Sequence, residues 1–320
     1  MKKIQVSEMN DFKIGHYTDL ENGTGCSVIL CEQGAIAGVD VRGGWPATRE
    51  TDLLDPKNMV QQIHAVTLSG GSAYGLEASC GVMEYLGEHK IGFDMKGIYI
   101  PIVCQASLFD CGLGTVSAYP HKEHGYYACQ HIQETDLQGC IGAGTGASVG
   151  KFLGFDKAMK TGLGQAAFEI NGLQVGAIVA LNACGDLFFP NSNKPIATCY
   201  DAKEKKRIIS EEALLSLMEG QASCGMNTTI GCILTNAKLN KAEMNKLASM
   251  SHNAYAHCIR PVHTPNDGDT IFTMSTGKVE ANLDIVSILA NKAMEQALVN
   301  AGIYAQSLYG LPSYKEIEQD

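Results

Sequence analysis

The chain has 320 residues, 45% hydrophobic and 18% charged, and a formal net charge of −10. That length and apolar content can build one large core, while the acidity argues against a nucleic-acid partner. The one local basic cluster, Lys-Glu-Lys-Lys-Arg at 203–207, reads as a solvated linker or helix face. No apolar run reaches about 18 residues and the start, Met1-Lys-Lys-Ile-Gln-Val-Ser-Glu, has no apolar stretch of signal-peptide length, so a cytoplasmic protein off the membrane is expected.

In chain order, short β-branched runs bounded by glycine predict buried strands at Val28–Leu30, Ala35–Val41, His64–Leu68, Val175–Leu181, Ile230–Leu234 and Thr270–Ser275. Helical spacing predicts Ser72–His89, through Leu76, Cys80, Met83 and Leu86. It also predicts Lys241–Ile259, through Leu247, Met250, Ala254 and Cys258, and Leu283–Ala301, through Ile285, Ile288, Leu289 and Leu298. The segment Pro190–Met226 breaks the core pattern with Asn191-Ser-Asn-Lys-Pro195 and a charged run, which predicts an exposed linker. Within it a short helix, Ser210–Glu219, opens at Ser210 as N-cap. Strands and helices mixed without regular alternation predict an α+β layered sandwich in one domain, residues 1–320. The twelve cysteines form no Cys-x-x-Cys pair and mostly lie in apolar settings, so buried reduced thiols are expected rather than a zinc site.

Four motifs invite chemistry. Gly139–Lys151 is glycine-rich, but Thr145 stands where the phosphate loop needs glycine, Phe152 where it needs Ser or Thr, and Ala147 where a dinucleotide fingerprint needs its third glycine. What remains is a loop that can pass close to another chain or a substrate, with Lys151 at its end, or a plain turn with a surface lysine. In His263-Thr-Pro-Asn-Asp-Gly-Asp269, Asp267 and Asp269 share one face at strand spacing, yet Asp-Gly is also an ordinary turn with solvated carboxylates. His263 and His64 read as packing or supporting residues. Gly70-Gly-Ser72-Ala-Tyr-Gly75 is one residue out of register for a nucleophile elbow.

The fourth is Asn227-Thr228, where a flexible polar stretch meets the apolar Ile230–Leu234. A threonine hydroxyl can reach the preceding carbonyl through a five-membered ring, giving an N→O acyl shift and an ester that water opens. The new N-terminal threonine carries nucleophile and base together, since its α-amine has an unperturbed pKa of about 7.7–8.0. The plain alternative is a polar-to-apolar transition of the kind that opens most strands.

Between about Gly23 and Gly277 the sequence resembles a known family. The blocks are Gly34-Ala-Ile-Ala-Gly-Val-Asp-Val-Arg-Gly-Gly44, Thr48-Arg-Glu-Thr-Asp-Leu-Leu54, Leu68-Ser-Gly-Gly-Ser-Ala-Tyr-Gly-Leu76, Gly142-Ala-Gly-Thr-Gly146, Asn182-Ala-Cys-Gly-Asp186, Asn227-Thr-Thr-Ile-Gly231 and Arg260-Pro-Val-His-Thr-Pro-Asn-Asp-Gly-Asp269. They resemble the S58 family of autoprocessing N-terminal nucleophile aminopeptidases and amidases, which includes L-aminopeptidase D-Ala-esterase/amidase, the β-aminopeptidases and the nylon-oligomer hydrolases.

The resemblance implies a four-layer αββα sandwich, like the N-terminal nucleophile hydrolases but with different strand connectivity. It implies cleavage between Asn227 and Thr228 into an α-chain, 1–227, and a β-chain, 228–320. Thr228 would be nucleophile and, through its amine, general base, and Asn182 the oxyanion donor. Asp267 and Asp269 match the acidic pair of the nylon-hydrolase branch, where the β-aminopeptidase branch has serine and glutamate. Lys151 matches a family lysine, and a family tyrosine corresponds to Tyr119, Tyr126 or Tyr127. The reaction that the resemblance implies needs no metal and no cofactor. The expected substrates are short peptides and amino-acid amides or esters, including β- and ω-amino acyl amides, and the expected assembly is a homotetramer or larger homo-oligomer. Two other functions stay open: an N-terminal threonine acyltransferase of the ornithine acetyltransferase type, and an uncleaved binding or structural homologue.

Overall fold

A computed structural model describes residues 1–217 and 227–319. Ten strands build its two main sheets: β1 (Lys2–Ile4), β2 (Lys13–Asp19), β3 (Thr24–Val41), β4 (Ala47–Arg49), β5 (Ile63–Ser69), β6 (Val103–Ser107), β7 (Leu163–Ile170), β8 (Leu173–Asn182), β9 (Thr228–Ala237) and β10 (Thr270–Val279). The longer helices are α1 (Ala78–Glu88), α2 (Lys122–Gln130), α3 (Ser210–Leu217), α4 (Lys241–Cys258) and α5 (Leu283–Ile303).

The long strand β3 belongs to both sheets. Its first half pairs with β2 and β5, and β5 continues to β6 and β4; its second half pairs with β10, which continues through β9, β8 and β7 to β1. The two predicted strands Val28–Leu30 and Ala35–Val41 are therefore one, interrupted in its pairing with β5 by a register shift between Leu30 and Ala35. Most neighbours are antiparallel. The exceptions are β5/β6, joined through α1, and β9/β10, joined through α4, as parallel pairs need a crossover.

Side-chain alternation explains the layers. Along β3, Val28 and Leu30 face outward to Ala78, Val82 and Leu86 of α1 and Ala128 of α2, while Ile29 and Cys31 face the other sheet. Along β9, Ile230, Cys232 and Leu234 meet that same inter-sheet core, while Ile233 turns to the core under α4 and α5. Both faces of both sheets are thus covered, which is why these strands read as continuous apolar runs rather than half-polar ones. The result is the αββα sandwich. Asn240 starts α4 with a reciprocal cap: its side chain accepts from Glu243 N at 3.0 Å, and the Glu243 carboxylate accepts from Asn240 N at 2.8 Å.

Four local expectations change. The segment after Gly71 begins as a 3-10 helix, Ser72–Glu77, before α1. The expected linker holds short strands at Pro195–Ala197, Cys199–Asp201 and Lys206–Ile208, and Ile196 to Tyr200 are buried. Polar punctuation there marks turns between packed pieces rather than an exposed tether, and the remainder of that segment, 218–226, lies outside the described residues together with the last two residues of the predicted helix. The start of α3 is held by Asp186, whose carboxylate accepts from both Ser210 N and Ser210 Oγ at 2.6 Å, so Ser210 donates there instead of serving as the acceptor of a cap. Among the described residues ten cysteines are free thiols, with Cys80, Cys111 and Cys140 only half-buried; Cys184, expected to be reduced, is disulfide-bonded. Among the described residues, no helix is long and apolar enough to cross a membrane.

Candidate active site

The site forms where the central strands of one sheet share an end. β8 stops at Asn182 directly across the ladder from Thr228, the first residue of β9; Ile230 pairs with Thr270 at the start of β10, and Thr270 with Val41 at the end of β3. Asn227 extends β9 by one bridge to Asp267. Thr228, Asn227, Asn182, Asp267, Asp269 and Lys151 are all at least 96% buried. The solvated turn and the surface lysine are both overturned by that burial.

The Thr228 hydroxyl donates to the Asn227 carbonyl oxygen at 2.6 Å, and the Gly268 N–H donates to the same oxygen at 2.8 Å. That carbonyl oxygen therefore accepts from two donors, the Thr228 hydroxyl and the Gly268 N–H. Glycine is required at 268: a Cβ there would sit 2.7 Å from Thr228 Oγ1 and 2.8 Å from the Trp45 carbonyl oxygen.

Around this pair the carboxylates hold backbone. Asp269 Oδ1 accepts from Thr229 N at 2.8 Å, and its Oδ2 accepts from His263 N at 3.2 Å and lies 2.8 Å from His263 Nδ1. Asp267 Oδ2 accepts from Thr264 N at 2.7 Å, and its buried Oδ1 has no hydrogen-bond partner among the described residues. Burial, with the Asp269 charge adding to it, pushes the Asp267 carboxyl up to about 6.

On the other side, the Asn182 amide is fixed by its neighbours. Its Oδ1 accepts from Lys151 Nζ at 2.7 Å and Ser148 N at 3.1 Å, while its Nδ2 donates to Phe109 O at 2.7 Å. Two donors on one side and a carbonyl on the other settle which end is which. One Nδ2 hydrogen is used and a primary amide has two. Lys151 Nζ also donates to Asn182 O at 3.0 Å. Burial pulls the Lys151 amine down to about 7, with Asp267 the strongest opposing charge and Lys160 adding to the depression.

Besides the six residues, sequence alone marks His263 as a support, and it lies on Asp269; the other supports come from the fold. Lys160 is fully buried and donates to the carbonyls of Ala147 (2.7 Å) and Thr161 (2.6 Å). Asp110, raised by burial to about 6, accepts from Thr24 Oγ1 and Gly71 N. From α4, Tyr255 stacks on His263 and His252 meets it edge-on, next to Asp269; their i, i+3 spacing was the available signal. The Gly268 N–H had none, because any non-proline residue supplies one. Of the three candidate tyrosines, Tyr126 and Tyr127 lie on the outer helix α2, Tyr126 bonding Glu88. Tyr119 packs on Gly71, next to the Phe109–Asp110 turn that touches Asn182. Among the described residues no group of three or more His, Cys, Asp or Glu could hold a metal ion. Chemically, the arrangement offers a buried hydroxyl on a polarised carbonyl, an oriented amide opposite it, and an amine and a carboxyl both titrating near neutrality.

The sequence profile of peptidase family S58 matches residues 5–313. An uncharacterized aminopeptidase of Mycobacterium leprae is 35% identical, over 97% of this chain and 92% of that protein. A 6-aminohexanoate-oligomer endohydrolase of Paenarthrobacter ureafaciens is 30% identical, over 90% and 82%. The L-aminopeptidase D-Ala-esterase/amidase of Ochrobactrum anthropi, described as a variant of the Ntn hydrolase fold, superposes with a TM-score of 0.72 at 18% identity, covering 98% of this chain and 92% of that chain. A β-aminopeptidase from Burkholderia sp. gives the same score and coverage at 17% identity.

Proposed function

The chain belongs to peptidase family S58 and is a hydrolase of amide bonds, and we propose that it activates itself by cutting Asn227-Thr228 and then hydrolyses short peptides and amino-acid amides or esters with Thr228 as nucleophile. The observation that carries this reading is the Thr228 hydroxyl 2.6 Å from the Asn227 carbonyl oxygen, with the Gly268 N–H on the same oxygen.

Self-cleavage follows from that contact. Thr228 Oγ attacks the Asn227 carbonyl carbon, its proton passes to a nearby base, and the Gly268 N–H stabilises the negative oxygen. The C–N bond breaks, the Thr228 nitrogen takes a proton, and water hydrolyses the resulting ester to free the Asn227 carboxylate. Asp267 is suited to receive the first proton, being ionised above about pH 6 with one oxygen unengaged.

Turnover reuses the site. The Thr228 amine takes the hydroxyl proton as Oγ attacks a substrate carbonyl, the second Nδ2 hydrogen of Asn182 stabilises the oxyanion, the ammonium protonates the leaving amine, and water releases the acyl group. Asp267 and Asp269 are buried next to Thr228, and their charge favours substrates with a free amine beside the scissile bond. Amino-acyl p-nitroanilides and their N-acetylated counterparts test this: the free-amine substrates should be faster, and equal rates would remove amine recognition. Assembly into a homotetramer or larger homo-oligomer belongs to the same proposal.

A further inference from the structure

We propose that Trp45 is a specificity-determining residue whose indole forms the apolar wall against which a substrate side chain packs while its carbonyl is presented to Thr228. The inference rests on the hydrolase reading above.

The position of Trp45 follows from its backbone. Residues 42–46 run tightly along the 265–269 loop: Arg42 N donates to Asp269 O at 2.9 Å and Trp45 N to Asp267 O at 2.8 Å. The approach is close enough that a Cβ on Gly43 would lie 2.2 Å from Asp267 O, and one on Gly44 2.3 Å from Pro265 O. The pair of glycines is what allows the loop to lie there. The Trp45 carbonyl and the Thr228 hydroxyl then flank the same Gly268, at 2.8 and 2.7 Å from where its Cβ would be.

The side chain contrasts with this anchoring. Trp45 is 60% exposed, whereas Thr228 beside it is 4% exposed. It is the one tryptophan of the chain, and no ring contact or side-chain hydrogen bond engages it among the described residues. A large aromatic surface, held at low entropy on a backbone clamped to the nucleophile's loop, is suited to bury against a bound molecule. The carboxylates of Asp267 and Asp269 lie on the same loop, so one molecule can meet negative charge with its amine and the indole with its side chain. The class that fits both is a short amino-acyl amide bearing an apolar or aromatic side chain.

The test compares the wild type with Trp45→Ala and Trp45→Phe, using p-nitroanilides of glycine and of leucine or phenylalanine. Self-cleavage, read by denaturing electrophoresis, should be equal in all three. For the leucyl and phenylalanyl substrates, Trp45→Ala should raise KM about tenfold with kcat little changed; the glycyl substrate should change less than about twofold, and Trp45→Phe should restore most of the difference. Equal changes for large and small side chains, or none, would overturn the assignment. So would a changed oligomeric state with unaltered side-chain preference, which would make Trp45 an interface residue. A second readout does not depend on turnover: phenylalaninamide should alter Trp45 fluorescence saturably where glycinamide does not. If no amide is hydrolysed by the wild type, the hydrolase reading fails, yet saturable quenching would still support the contact and its absence would refute it.

Discussion

Replacing Lys151 by methionine isolates what a buried ammonium does for the oxyanion donor. Lys151 Nζ makes two hydrogen bonds, to Asn182 Oδ1 at 2.7 Å and Asn182 O at 3.0 Å, and methionine keeps the volume while removing both. The Ser148 N–H still faces Asn182 Oδ1 at 3.1 Å, so the amide keeps one of the two donors that orient it. Loss of a whole oxyanion donor costs roughly 10²–10³ in kcat; a donor that is present but loosened should cost less, about 10- to 100-fold, with KM changed little. Stability should move the other way or not at all, because burial alone already pulls the amine down to about 7 and an apolar replacement removes that desolvation cost. The assay is kcat and KM for an amino-acyl p-nitroanilide on fully cleaved protein, beside thermal unfolding. Wild-type kcat in Lys151→Met, or a loss as large as that of Asn182→Ala, would refute the view that Lys151 works by holding Asn182.

Asn182→Ala, correctly cleaved, should lose roughly 10²–10³ in kcat, checked with the same substrate. Thr228→Ala should abolish self-cleavage and hydrolysis while Thr228→Ser retains some of each, read by electrophoresis and amide hydrolysis. Gly268→Ala should slow self-cleavage at least about tenfold, because its Cβ meets Thr228 Oγ1 and the Trp45 carbonyl; a time course of the precursor band measures it. For pH, Asp110 and Asp186 are raised by burial to about 6 and about 7, so the folded chain holds their protons more tightly than the unfolded one. The stability they contribute is complete below about pH 4 and lost as pH rises through 6 to 7. Thermal unfolding of uncleaved Thr228→Ala between pH 5 and 8 should show a falling Tm, with a shallower slope after Asp186→Asn.

The core strands were readable because each is covered on both faces: Val175–Leu181 and Ile230–Leu234 are near-continuous apolar runs, and the structure extends them by only a few residues at each end. The first half of Pro190–Met226 packs although its sequence reads as a tether, because asparagine, proline and lysine mark turns equally well in a tether and between short packed strands such as Pro195–Ala197. At the site, Thr228 and Asn182 stand out by type and by their place at strand ends. Their opposition across one ladder depends on register, which no local pattern carries. The burial of Lys151 and the Gly268 N–H on the Asn227 carbonyl are likewise products of tertiary packing, since a glycine-rich loop and an Asp-Gly turn look the same whether solvated or enclosed.

Self-cleavage ahead of a threonine nucleophile can be read from the mass spectrum of the purified, denatured protein. Two polypeptides are expected, the smaller of 93 residues beginning at Thr228; a single intact chain of 34.2 kDa after prolonged incubation, or a smaller fragment beginning at Thr229, would rule out cleavage at Asn227-Thr228.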